Sequence, residues 1–140
     1  MPDLKVIVAA VDFSDCSDHA LEAACDLAEK YDAEIHLVHV EKEPVPYHGY
    51  ELEPSDEVKQ KLDALPDSRW SNLKVTRTVR FGPPAEELVT EAEEKQADLI
   101  VIGTHGRGAV QKLFLGSVAD QVVRAAPCPV MTIHPPVTDT

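Results

Sequence analysis

The chain has 140 residues, of which 44% are hydrophobic and 27% charged, a composition close to that of an ordinary soluble domain. Its formal net charge of −12 argues against nucleic acid and anionic membranes as general partners. The N-terminal segment, with Asp3 and Lys5 beside a short apolar run, predicts no signal peptide, and no apolar stretch is long enough to span a membrane. Three cysteines without framework spacing predict free thiols and a cytoplasmic location.

The first half of the chain alternates apolar runs with helical patterns. Residues 4–11 form a nearly continuous apolar run, which predicts a strand buried on both faces. Ser14 or Ser17 can cap the following helix, predicted over residues 19–31. Residues 34–40 predict a second strand, 41–54 a surface loop, 55–65 a short charged helix and 73–79 a strand near a sheet edge. The first helix is expected to bury Ala20, Ala24, Leu27, Ala28 and Tyr31.

The second half repeats the alternation. A helix is predicted over residues 85–96, a doubly buried strand over 98–103, a helix over 117–126 and a last strand over 129–133. We expect the glutamates of the first of these helices to form a solvated face: Glu86, Glu87, Glu91, Glu93 and Glu94. The second is expected to bury Ala119, Val122, Val123 and Ala126.

Strands that alternate with helices indicate a parallel sheet with right-handed crossovers. We therefore predict one domain over residues 1–140: an open, Rossmann-like, five-stranded parallel α/β sheet in the order 3-2-1-4-5, with helices on both faces. In that order the first and fourth strands are central, and ligands bind beyond their carboxyl ends. Asp12 ends the first strand and Gly103 the fourth, so both are expected at the same crevice.

A glycine-rich segment runs from Gly103 to Ser117 with the pattern G-x2-G-x9-G-S, between a predicted strand and a helix. Glycines permit positive φ and close approach to a ligand, and a helix N-terminus attracts phosphate. Residues 103–119 contain no acidic residue but include His105, Arg107 and Lys112, so this patch is locally cationic. The pattern predicts phosphate binding. Alternatively, the glycines serve turns and Ser117 is an N-cap, with Asp120 completing a capping box.

The chain resembles the universal stress protein family along almost its full length. The residues that carry the resemblance are VDFS at 11–14, FG at 81–82 with PAEE at 84–87, DLIVIG at 98–103, the glycine pattern and APCPV at 126–130. The complete G-x2-G-x9-G-S pattern is similar to that of the family's ATP-binding members.

This resemblance implies a site for ATP, with AMP and ADP as other occupants and Mg²⁺ as companion. It implies that Asp12 reaches the ribose or the Mg²⁺, that the Val40 backbone meets adenine, and that Ala10, where relatives often have proline, forms part of the adenine pocket wall. It also implies a homodimer paired through the edge strand Val130–Ile133. The residues implied around the triphosphate are Gly103, Gly106, Gly116 and Ser117, with His105, Arg107, Gly108 and Val118 beside them.

The resulting interpretation is a signalling or stress-response module whose state depends on nucleotide occupancy, with an unidentified downstream partner. The alternatives are a slow ATPase or autophosphorylating enzyme with Ser117 as one acceptor, a family member that binds no nucleotide, and a flavin-type redox module. A Walker A loop is absent from the sequence, so the apparatus of a fast ATPase is not visible.

Three other residue sets have simpler interpretations. His36 and His39 are three apart on a predicted strand, so their side chains are expected on opposite faces and form no metal pair. Cys16 lies near a helix start, where a redox role is one alternative to simple packing. Asp12 could cap the first helix instead of binding a ligand.

Overall fold

The computed structural model describes residues 3–41, 53–105 and 116–134. Within these ranges the elements are β1 (Val6–Ala10), α1 (Asp15–Tyr31), β2 (Glu34–Glu41), α2 (Asp56–Asp63), a 3-10 helix (Ser68–Trp70), β3 (Val75–Phe81), α3 (Pro84–Glu94), β4 (Leu99–Gly103), α4 (Ser117–Ala125) and β5 (Val130–Ile133). None of the helices in this described part is both long and apolar enough to cross a bilayer.

The five strands form one sheet in the order β3-β2-β1-β4-β5, and every pair is parallel. This confirms the predicted single-domain α/β fold and its strand order. β1 and β4 are central, and their carboxyl ends lie side by side, as a topological switch point requires. β3 and β5 are the edge strands. The homodimer through β5 stays a prediction.

Each face of the sheet has its own apolar cluster, because successive strand residues point to opposite faces. On the first, here called the α1 face, Ile7, Leu37 and Val101 pack with α1, with Leu62 of α2 and with Trp70. On the second, the α3 face, Val8 and Ile100 pack with residues of α3 and α4. The helices therefore cover both faces, as predicted.

Two apolar residues predicted to face inward are exposed. Tyr31 is 54% exposed, because it is the last residue of α1 and lies beyond Ala28, the last buried position of that helix. Val123 is 45% exposed, because α4 buries only the stripe that contains Ala119 and Val122.

Ser14 is the N-cap of α1, and its side chain accepts a hydrogen bond from the Ser17 N–H. α1 therefore begins at Asp15, four residues before the predicted start.

The expectation that all the glutamates of α3 are solvated is wrong for Glu91, which is buried. Its Oε2 lies 2.8 Å from Nη1 of Arg80, a residue of β3, and Glu87 Oε1 lies 2.8 Å from Arg80 Nε. Burial disfavours the charge on Arg80, but its hydrogen bonds to Glu91 and Glu87 prevail and raise the pKa of the guanidinium. This ion-pair cluster joins α3 to β3.

Candidate functional site

A cleft of about 340 Å³ opens on the α3 face, at the carboxyl ends of β1 and β4. Eight of the sequence-predicted site residues line it: Ala10, Asp12, Val40, Gly103, His105, Gly116, Ser117 and Val118. The other three, Gly106, Arg107 and Gly108, lie outside the described residues, as does Lys112. Residues from β1, β2, β4 and α4 thus meet at one crevice although they are far apart in the sequence.

Asp12 uses one carboxylate oxygen to shape the turn that follows β1. Its Oδ1 accepts hydrogen bonds from the Ser14 backbone N–H at 2.9 Å and from Ser14 Oγ at 2.5 Å. Its backbone N–H donates to Ser17 Oγ at 3.0 Å. Asp12 therefore does not cap α1, whose N-cap is Ser14, but shapes the turn before it; within the described ranges Oδ2 has no such partner. One oxygen can organise the turn while the other remains available to a ligand.

The backbone of Val40 faces the cleft side of β2. Alternate residues of a strand direct their N–H and C=O groups to opposite neighbours. Ile35 N–H bonds Lys74 O next to β3, and Glu41 O accepts from Gly82 N–H on the same side, so odd-numbered β2 residues face β3. Val40 therefore directs both backbone groups toward β1, which has already ended at Ala10. The N–H donor and the C=O acceptor of Val40 therefore lie side by side at the point where β1 no longer runs beside β2.

Gly103 and Gly116 are required by close packing rather than by positive φ. A Cβ on Gly103 would lie 2.8 Å from Cys16 Sγ, and one on Gly116 would lie 2.9 Å from the Thr104 carbonyl oxygen. Gly116 has φ −65°, a value open to any residue. Of the two properties that glycine permits, Gly116 therefore uses close approach and not positive φ. Near the cleft, positive φ occurs at Phe13, at 65°, where the chain leaves Asp12.

The N-terminus of α4 points into the cleft without a side-chain cap. Gly116, not Ser117, is the N-cap, and no side-chain hydrogen bond caps this helix. The capping box of the alternative interpretation is also absent, because Ser117 is the first helical residue and not the N-cap; Asp120 Oδ2 accepts from Arg124 Nε at 3.1 Å within the helix. The first-turn N–H groups of a helix lack intrahelical acceptors, so this end presents several donors and the positive end of the helix dipole.

The apolar wall of the cleft was not predicted from the sequence. Because even-numbered residues of β1, β2 and β4 face α3 and α4, the strand alternation could have assigned this wall once the sheet order was known. Ser17 and Thr104 add buried hydroxyl groups to the cleft, and Thr104 Oγ1 lies 3.0 Å from His105 Nδ1. The missed lining residues are Val11, Ser17, Val38, Pro84, Leu88, Ile102, Thr104 and Ala119.

Acidic side chains crowd the start of α1 beside the cleft. Burial raises the pKa of Asp18, and the neighbouring carboxylates of Asp15 and Asp12 raise it further. An anionic ligand would therefore bind more favourably at α4, on the other side of the cleft, where the uncapped helix N-terminus lies. A cation would bind more favourably near Asp12.

The two histidines of β2 have separate partners, as their spacing predicted. His36 Nδ1 hydrogen-bonds Thr76 Oγ1, whereas His39 Nδ1 lies 2.7 Å from the Val11 carbonyl oxygen. Among the residues the structure describes, no three His, Cys, Asp or Glu side chains are grouped as metal ligands. Cys16 is buried, and its Sγ lies 3.4 Å from the Ile133 carbonyl oxygen as a donor.

Comparisons with known proteins point to the same family over most of the chain. A family model described as the universal stress protein family matches residues 4–134. The chain is 36% identical over 143 residues to a universal stress protein of Methanocaldococcus jannaschii, covering 94% of this chain and 83% of the relative. It is 37% identical over 136 residues to one of Thermus aquaticus, covering 93% and 98%. A universal stress protein of Archaeoglobus fulgidus, solved in complex with dAMP, superposes with a TM-score of 0.67 at 27% identity, covering 95% and 99%. This chain belongs to the universal stress protein family.

Proposed function

We propose that this protein is an ATP-binding stress-response or signalling module that holds Mg²⁺-ATP in the cleft between β1 and β4. The observation that carries the proposal is the uncapped N-terminus of α4, which lines a cleft with an apolar wall. An apolar pocket with a few convergent polar groups is typical of small-molecule sites. The solved relative in complex with dAMP supports an adenine nucleotide as the ligand class.

The apolar half of the cleft suits a flat purine ring. Val38, Val40, Pro84 and Leu88 line it from two elements, β2 and α3, so a ring can lie between strand and helix. The Val40 N–H and C=O at its edge match the N1 acceptor and the N6 amino donor of adenine. Guanine presents an O6 acceptor and an N1–H donor in those places, so the same backbone would bind it less well.

The phosphates would lie at the N-terminus of α4. Backbone N–H groups and the helix dipole favour anions there, although each dipole contact adds only about 0.3–1 kcal/mol at an exposed site. Several donors must therefore act together. The glycine-rich segment between Gly103 and Gly116 supplies further donors in this proposal, including the side chains of Arg107 and Lys112. Asp12 Oδ2 would contact the ribose or the Mg²⁺ that accompanies the triphosphate.

A charge placed in the first turn of α4 tests the proposal. Ser117 is exposed, so Ser117→Asp adds a carboxylate without disturbing the core. An acid at a helix N-terminus stabilises the helix but repels phosphate. We expect Mg²⁺-ATP affinity, measured by isothermal titration calorimetry, to fall by about tenfold or more, equivalent to about 1.4 kcal/mol. Adenosine affinity should change little.

Gln121→Glu is the matched control, because it adds the same charge to an exposed position of the same helix, one turn further on. It should retain most of the ATP affinity. The native protein should also release an adenine nucleotide when it is denatured after purification without added ligand, detectable by mass spectrometry. If it releases none and shows no calorimetric binding of Mg²⁺-ATP, the proposal is wrong. Formation of ADP within minutes in a single-turnover assay would instead favour the enzyme alternative.

A further inference from the structure

The backbone ladder between β1 and β2 ends one rung early. At its first rung the Lys5 carbonyl accepts from Glu34 N–H at 2.9 Å, and further along Val11 N–H donates to Val38 O at 2.8 Å. If this parallel pattern continued, the Val11 carbonyl would accept the next hydrogen bond, from the N–H of Val40. That rung is absent from the backbone hydrogen bonds of the described residues.

A side chain takes the place of this rung. His39 Nδ1 lies 2.7 Å from the Val11 carbonyl oxygen, and because a carbonyl only accepts, Nδ1 carries the hydrogen. His39 is the residue of β2 in register with Val11, since the preceding pair is Ala10 and Val38. Its side chain points to the α1 face, so the hydrogen bond that Val11 O accepts comes from a side chain and not from the ladder.

The imidazole of His39 is held in this position from two further sides. Its Nε2 lies 3.0 Å from Glu41 Oε1, a contact that is a hydrogen bond when Nε2 also carries a hydrogen, and the Phe13 ring packs against it with 4.6 Å between ring centroids. Phe13 itself has φ 65°, a left-handed backbone conformation directly after Asp12. His39 is buried, so its ring orientation is fixed by packing as well as by hydrogen bonds.

We propose that His39 is a positioning residue for nucleobase recognition: its hydrogen bond holds the Val11 carbonyl turned toward the α1 face, so the N–H of Val40 stays available to the ligand. His39 lies on the α1 face, on the opposite side of β2 from the cleft, so it acts through the backbone and without touching the base. This inference rests on the proposed function for its ligand, but the effect on the Val40 backbone exists without any ligand.

Two substitutions distinguish the effect of the His39 hydrogen bond from the effect of the ring's size. His39→Leu removes the donor that orients the Val11 carbonyl, so we expect that carbonyl to turn toward Val40 N–H and accept from it. We expect amide hydrogen exchange at Val40, measured by NMR on the ligand-free protein, to slow by about tenfold. The ratio of ATP to GTP affinity should fall by about tenfold, mainly through loss of ATP affinity. His39→Asn keeps an amide donor near the place of Nδ1 and should restore both values.

His36→Leu is the matched control, since His36 is a second buried, hydrogen-bonded histidine of β2, on the other face. It should leave amide hydrogen exchange at Val40 and the ratio of ATP affinity to GTP affinity unchanged. A purely structural loosening in His39→Leu would speed exchange at Val40 and weaken both nucleotides alike. Unchanged or faster exchange at Val40 in His39→Leu would overturn the inference. Absence of ATP binding by the native protein would overturn the proposed function instead, and the exchange measurement separates the two failures.

Discussion

The α1 face of the sheet is closed by apolar side chains, whereas the α3 face leaves a cleft between its helices and the strand ends. On the α1 face Ile7, Leu37 and Val101 are buried beneath α1, and Trp70 and Leu62 extend the cluster toward β3. On the α3 face the apolar cluster is smaller, and an ion-pair cluster around Arg80 connects α3 to β3.

This difference teaches how one sheet can combine a stable core with a binding site. Apolar packing on the α1 face contributes stability through the area it removes from water. On the α3 face, part of the apolar surface remains open to the cleft, so it is available to a ligand. The wall formed by Pro84 and Leu88 must then be held by other contacts, which the bonds from Arg80 to Glu87 and Glu91 provide.

The largest effect is expected from Arg80→Met, which removes the partner of a buried carboxylate. Breaking a buried ion pair in this way costs about 3–5 kcal/mol of unfolding free energy. Urea unfolding should show this loss, while Arg124→Met, which removes an exposed pair with Asp120, should cost about 0.5 kcal/mol or less. Adding Glu91→Leu to Arg80→Met should recover most of the stability. A loss below about 1 kcal/mol in Arg80→Met would show that apolar contacts alone hold α3.

A pair of leucine truncations compares the two faces directly. Leu37→Ala, in the apolar cluster of the α1 face, should cost about 2–5 kcal/mol of unfolding free energy because it leaves a cavity. Leu88→Ala should cost less, since its side chain already borders the cleft, but it should weaken ATP binding through the loss of contact with the base. Thermal unfolding and calorimetric titration measure the two effects. Equal destabilisation with unchanged ATP affinity for Leu88→Ala would contradict the distinction between the faces.

The smallest of these effects concerns the contact between α1 and the end of β4. Gly103→Ala would place a methyl group 2.8 Å from Cys16 Sγ, and overpacking of this kind costs about 1–3 kcal/mol. Cys16→Ala should relieve part of that cost in the double variant, because it removes the sulfur. Chemical unfolding of the two single variants and the double variant forms the thermodynamic cycle. Additive losses would mean that the Cys16 sulfur is not the obstacle.

Much of the architecture was predictable from local pattern. Continuous apolar runs such as residues 4–11 and 98–103 indicate strands buried on both faces, and their alternation with helical segments indicates a parallel sheet. The switch-point rule then placed Asp12 and Gly103 at one crevice, where the structure has them. Errors arose where burial depends on a distant partner: Glu91 is polar in any helical pattern, and only Arg80 of β3 explains its burial.

By itself, the sequence determined the order of the strands and main helices and the buried strands, and it narrowed the cap of α1 to Ser14 or Ser17, because these follow from local chemistry and periodicity. Only the tertiary structure decided that Gly103 and Gly116 are needed for close packing, that α4 begins uncapped at the cleft, and that His39 takes the Val11 carbonyl. The close packing of the glycines and the contact of His39 depend on atoms that the fold brings within about 3 Å of each other, and no local pattern encodes such distances. The place of the α4 N-terminus at the cleft depends on how the helix packs against the sheet, which local pattern does not encode either.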